Sequence, residues 1–307
     1  MEAFEEKYLN PHTDFGFKRL FGTEFNKDLL ISFLNAVLKR DDEIRDIRYL
    51  NSEQLGERIE SRRAIFDVYC ESRLGEKFIV EMQNVYQEFF KDRTVYYATF
   101  PIREQAKKGT WDFHLNAVYT LGLLNFVFDD DRDNPDYYHE VKLMDTDKKT
   151  VFYDKLTFIY LEIPKFRLEE SQLHTMMEKW IYLLKNLSGL MSRPAALQER
   201  IFTRVFEQAE IAKFSSLELK QYEDSINAYR DILNALNTAK KESFEEGLAE
   251  GHEKGLAEGH EKGLAEGLAE GRQQEKAAIA LSLKHSGVPT EVIIQATGLT
   301  EEEIQKL

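Results

Sequence analysis

Two strand-like runs of this chain carry side chains in a pattern that invites metal chemistry. Asp67 lies in IFDVY, and Glu81 and Gln83 lie in VEMQN. Each acid is flanked by strong strand formers, where an unpaired buried charge is expensive. Gly75 supplies a turn between the runs, so they read as an antiparallel hairpin with a loop near Arg73 to Glu76. That hairpin can bring both carboxylates to one face, where they repel unless a cation sits between them. Oxygen ligands favour a hard divalent ion: magnesium, or else manganese or calcium. Gln83 follows Glu81 by two residues and so shares its face, where its amide can position a water or a phosphate oxygen.

The elements that must position these groups follow from apolar spacing. Phe17, Leu20, Phe21, Leu29, Leu30, Phe33, Leu34 and Val37 predict a helix from about Asp14 to Leu38, with a break near Gly22. EIRDIRYLN and RAIFDVYCES read as strands, and KFIVEMQN completes the hairpin. Residues from about Phe89 to Lys108 have helical spacing, which Pro101 must kink or divide. HLNAVYTLGLLNF has the apolar density of a buried strand, followed by strand candidates YYHEVKLMD and LTFIYLEIPKF. The order is helix, three strands, helix, strand. From Glu169 to about Phe214 helix returns, with Trp180, Leu183 and Leu187 in one stripe and Ile201, Val205 and Ala209 in another.

The character changes near Lys240. Seven glycines, Gly247 to Gly271, recur every four residues inside GLAEGHEK units. Interior glycine costs about 1 kcal/mol against alanine in a helix, so an isolated helix here is penalised repeatedly. Two readings stay open: a polar spacer, or a slanted ridge that lets a partner helix approach closely. After it come three short helices punctuated by Gly287 and Gly298, with Thr290 and Thr300 as N-caps and Thr300 with Glu303 as a capping box. The tail has the outline of a helix-turn-helix, but its last helix opens on Glu301, Glu302 and Glu303, which suits protein docking or dimerisation better than DNA. The expected division is 1–212, a domain with a helical extension; 213–275, a helical and Gly-repeat linker; and 276–307, the small tail.

Net charge is −14, the wrong sign for holding nucleic acid by bulk electrostatics. Residues 1–110 are nearly balanced, with 18 basic and 20 acidic residues, so any basic footprint must be local and lie in the first third. Cys70 is the one cysteine, which excludes an internal disulfide or a cysteine zinc site. The start lacks a secretory signal, and no run is long enough to span a membrane, so a cytoplasmic location is expected. His114, His252 and His260 have no neighbouring ligand set.

Taken together, IFDVYCESRLGEKFIVEMQ, the opening NPHTDFGFKRLFG…NKDLLISFLNAVL and the later RTVYYATFPIREQ resemble the Rpn recombination-promoting nucleases or putative transposases, within the PD-(D/E)xK nuclease superfamily. The resemblance covers roughly residues 8–165. It implies a restriction-endonuclease-like α/β core, a mixed sheet flanked by helices, followed by a helical C-terminal region. It further implies magnesium-dependent cleavage of DNA phosphodiesters with Asp67, Glu81 and Gln83 as catalytic residues, the metal held by Asp67, Glu81 and the backbone carbonyl of Met82. Gln83 stands where the superfamily's standard pattern has lysine, and a glutamine contributes no positive charge to the transition state. Lys77 and Arg93 are candidates for supplying it. Arg93 reads equally as a phosphate clamp or as a salt-bridge partner of a core carboxylate. Asp14 matches the acid of the family's opening motif, or else serves as a helix cap. Tyr96 and Tyr97 read as core or interface aromatics.

The resemblance thus implies a DNA endonuclease of low sequence specificity, linked to recombination or mobile elements. The competing expectation is a nuclease-fold binding or regulatory protein without useful turnover. A homo-oligomer through the tail fits either. Strand-transfer chemistry is disfavoured, because no third ordered carboxylate of that class is apparent in the sequence.

Overall fold

In the computed structural model, which describes residues 6–54, 64–106, 109 and 111–307, the opening segment folds as two helices. These are α1 (Asp14–Phe21) and α2 (Lys27–Val37), separated by Gly22 and a 3-10 turn at Glu24–Asn26. Thr13, not Asp14, caps α1: its side chain accepts from the Gly16 N–H. Asp14 occupies the first turn, where a carboxylate favours the positive end of the helix dipole.

Strand β1 (Ile47–Tyr49) follows. Next come β2 (Glu53–Gln54) and β3 (Ala64–Ile65), which pair with each other. Then β4 (Val68–Ser72) and β5 (Lys77–Gln83) form the expected hairpin, with Val68 opposite Val80 and Glu71 opposite Lys77. The turn is closed by Gly75 N–H to the Ser72 carbonyl, and Gly75 takes φ +80°, a conformation open to glycine at no steric cost. Helix α3 (Phe90–Glu104) runs through Pro101 without being divided there, and the expected end at Lys108 lies outside the described residues, as does Arg63 at the start of the strand run.

The remaining strands are β6 (Val118–Leu124), β7 (Tyr138–Asp145) and β8 (Thr150–Glu162). The main sheet has the order β1-β4-β5-β6-β8-β7. The pairs β5/β6 and β6/β8 are parallel and the others antiparallel, so the sheet is mixed. Strand alternation divides its faces. Phe78 and Val80 point into the large core shared with α1, α2 and the helices α4 (Met176–Asn186) and α5 (Arg200–Ala209), centred on fully buried Trp180. Ile79 points the other way, to Tyr69, Phe66 and Phe100 of α3.

Helix α6 (Ser216–His285) contains all seven repeat glycines, and nothing lies within 4 Å of a Cβ built on any of them. The chain divides into two compact units, Met1–Asp231 and Ile232–Leu307, with the division inside α6. In the second unit, α7 (Thr290–Thr297) and α8 (Glu301–Lys306) close a small core of Ala280, Ile293, Leu299 and Ile304. Thr300 caps α8 in a capping box with Glu303, as its spacing predicts, whereas the cap position of α7 is Pro289 and Thr290 is its first helical residue. No described helix is long and apolar enough to cross a membrane.

Gly16 is where α1 presses on the turn before it: an added Cβ would lie 2.2 Å from the Asn10 carbonyl oxygen. Gly16→Ala should therefore cost about 1–3 kcal/mol in denaturant unfolding, as overpacking does. An unchanged midpoint would show that this approach is not close.

Candidate active site

Strands β4 and β5 part at the end remote from their turn. Val68 opposite Val80 is the last rung, so the next pair in register would be Asp67 and Glu81. The backbone bends at Asp67, and its Oδ2 accepts the Met82 N–H at 2.8 Å. A side chain thus takes the place of the next ladder carbonyl. Backbone bonds from Lys77 to Ala117 and from Asn125 to Gln83 show that the odd residues of β5 face β6. The Met82 N–H and C=O consequently face the opposite edge, where Asp67 lies. Asp67, Glu81 and the Met82 backbone meet at one end of one hairpin.

The electrostatics reflect this crowding. Burial is the largest influence on both acids, and it disfavours their charged forms. Glu81, buried at 6% exposure, is pushed up to about 7; Arg93 opposes the shift and the charge of Asp67 adds to it. Asp67 is raised by burial, against the Met82 N–H, with a further push from Asp14. Asp14 itself is exposed and paired with Lys18 at 2.7 Å. It lines, with Asp67, a cleft of about 950 Å³ between α1 and the first turns of α6, which contribute Glu218 and Asp224.

Gln83 lies on the same face as Glu81, and both ends of its amide are engaged. Oε1 accepts from Arg93 Nη2 at 2.6 Å, while Nε2 donates to the Val85 carbonyl at 2.9 Å. Arg93 comes from the first turn of α3, where its guanidinium also donates to Gln87 and stands 3.6 Å from Glu81. The structure therefore brings Arg93 to the acids through Gln83. Lys77 lies at the other end of β5, six residues and about 20 Å from Gln83, and is ion-paired with Glu71 at 3.1 Å. Tyr97 packs on Phe66, whereas Tyr96 is 43% exposed. His114, His252 and His260 are exposed, and Cys70 is buried in β4.

Two features were not singled out from the sequence. Asn84 donates its amide to the His12 carbonyl at 2.7 Å, tying the segment before α1 to the end of the acidic strand. Asp131, His139 and Glu162 converge closely enough to hold a metal ion, but Lys165 already sits among them, 2.6 Å from Asp131 and ion-paired with Glu162. Glu162 also accepts the Phe128 N–H at 2.6 Å. An ammonium, a backbone donor and the His139 ring thus already engage these carboxylates, and their oxygens are spent on closing the end of β8. Its residues are far apart in sequence and carry no recognisable spacing, so only the fold could reveal them.

The donor set at the hairpin end fits a divalent cation. Its oxygens are hard, one acid is buried with the Arg93 guanidinium at 3.6 Å, and the charge of Asp67 adds to the cost of ionising it. A family model described as PD-(D/E)XK nuclease family transposase matches residues 11–239, a span that contains all of these groups. No curated protein and no solved structure matches the chain.

A buried acid raised from 4.5 to about 7 has a definite signature. Its folded form binds the proton more tightly than its unfolded form, so stability falls as pH rises from about 4.5 through 7, by on the order of 3 kcal/mol without added metal. Glu81→Gln should flatten that part of the profile, and magnesium should raise the wild-type melting temperature at pH 8 but not that of the variant. Parallel pH profiles for the two proteins would contradict the assignment.

Proposed function

Because this chain belongs to the PD-(D/E)XK nuclease family transposases, we propose that it is a divalent-metal-dependent DNA endonuclease of low sequence specificity, acting in the cytoplasm in recombination or mobile-element processing. The observation that carries this is the meeting of Asp67, Glu81 and the Met82 backbone at the unpaired end of the β4/β5 hairpin. Asp67, Glu81 and the Met82 carbonyl would hold the ion, magnesium above manganese or calcium. When bound, such an ion polarises a phosphoryl oxygen and acidifies water.

The rest of the site belongs to the chain. Gln83 fixes the guanidinium of Arg93, and Arg93 supplies the positive charge that the lysine of the standard pattern would bring to a phosphorane-like transition state. Asp67 holds the Met82 peptide in place, which sets the direction of its carbonyl. Glu81, whose charged form burial disfavours before any cation arrives, is the ligand that such an ion would relieve. Asp14, across the cleft, adds a carboxylate on the approach to Asp67.

Oligomerisation belongs to the second unit. Exposed Phe244, Leu248, Leu256, Leu264 and Leu268 run beside the glycines of α6, and a helix with so many interior glycines gains from a partner surface.

Two measurements decide these points. Wild-type protein with magnesium should nick or linearise supercoiled plasmid, EDTA should stop it, and Asp67→Ala or Glu81→Ala should abolish it with the fold intact. Arg93→Ala should slow cleavage by about 10²–10³-fold, the loss typical of one oriented transition-state donor. Equal behaviour of wild type and the acid variants would remove the enzyme and leave a binding protein. Truncation before Lys240 should lower the solution mass from an oligomer's to a monomer's, and an unchanged mass would refute association through the tail.

A further inference from the structure

Among the described residues, several cations near the acids are ion-paired. In the cleft beside Asp67, Lys18 is paired with Asp14 at 2.7 Å, and Arg19 is paired with Glu218. Lys91, at the start of α3, is held by Asp130 at 2.8 Å. With a net charge of −14, bulk electrostatics opposes the approach of a phosphate backbone, so a duplex depends on local cations. Substrate binding gains from any contact that needs no free cation.

The first two turns of α3 present one. Phe89, Arg93 and Tyr96 stand at i, i+4 and i+7, and so share one side of the helix. Arg93 leads inward to Gln83 and Glu81, while Phe89 is 66% and Tyr96 43% exposed. Tyr86, in the turn before the helix, is a further aromatic at 38% exposure. Large apolar rings left in water beside a catalytic acid represent forgone burial, and a base that stacks on them recovers it. Such stacking is sequence-tolerant, because every base has a π-face. In a duplex the base faces are already stacked on one another and cannot reach these rings.

We propose that Phe89 and Tyr96 form a stacking platform for unpaired bases on either side of Arg93, so that the strand presented to Asp67 and Glu81 is single-stranded or locally opened DNA. This rests on the nuclease reading above for the chemistry, but not for the binding. Low sequence specificity follows from stacking, and a shallow salt dependence follows from the single guanidinium at its centre, with a slope of about −0.7 per phosphate neutralised.

The test separates binding from cleavage. Anisotropy of a labelled strand of about 16 nucleotides, measured in EDTA, should show at least tenfold tighter binding than the same sequence as a duplex. Phe89→Ala and Tyr96→Ala should each weaken single-strand binding by roughly 5- to 150-fold, and change duplex binding less than twofold. Phe89→Trp should keep the affinity, and Phe89→Leu, apolar without a π-face, should lose it. Duplex binding as tight as single-strand binding, or alanine variants within twofold of wild type, would overturn the proposal even if plasmid cleavage is robust. Conversely, a protein with this stacking-dependent preference that never cuts would keep the platform and forfeit the nuclease.

Discussion

The arrangement depends on two carboxylates that share one end of a hairpin with too little positive charge to neutralise them. One guanidinium stands at 3.6 Å from the deeper acid, and a single peptide N–H serves the shallower one. Desolvation keeps both from ionising freely in isolation. The surrounding fold can be understood as the frame that tolerates this deficit. Large aromatic and aliphatic side chains bury one face of the sheet against helices, and α3 on the other face brings in Arg93, which reaches the acids through Gln83. The hydrophobic core sustains a site that is electrostatically unfavourable until a cation joins it.

Much of this was legible because periodicity and turn chemistry agree. The hairpin loop, the break at Gly22, the parity of Glu81 with Gln83 and the Thr300 capping box each follow from short-range rules, and the structure has them where those rules put them. Two caps fell one residue away: at Thr13 for α1, whose hydroxyl accepts the Gly16 N–H, and at Pro289 for α7, where no side chain caps and Thr290 begins the helix. Sequence proximity cannot separate Lys77 from Arg93, whereas geometry does: the strand carries the lysine to its far end and the next helix folds the arginine back. The clustering of Asp131, His139, Glu162 and Lys165 depends on the register of β7 against β8, which shifts at Leu143 and which no local pattern reports.

The repeat in α6 poses a different balance. Each glycine subtracts from helix stability, and the i,i+4 pair of Glu250 and Lys254 returns only a few tenths of a kcal/mol. Surface charge therefore cannot hold such a helix by itself, and the exposed Phe244 and leucines alongside are the large apolar surface this segment has to trade. The second unit's own core is small, built where α7, α8 and the residue between them close on the end of α6.

The rung that Asp67 makes with Met82 gives that residue two employments, one mechanical and one chemical. Asparagine has an oxygen of the same reach and could go on capping the peptide while forfeiting the negative charge. A lineage relieved of selection for cutting would therefore have a one-step exit at this position that keeps the bond to Met82, which alanine would give up along with the charge. Silent descendants of this scaffold are best sought by an amide at position 67, since loss of hydrolysis and loss of shape need not coincide there.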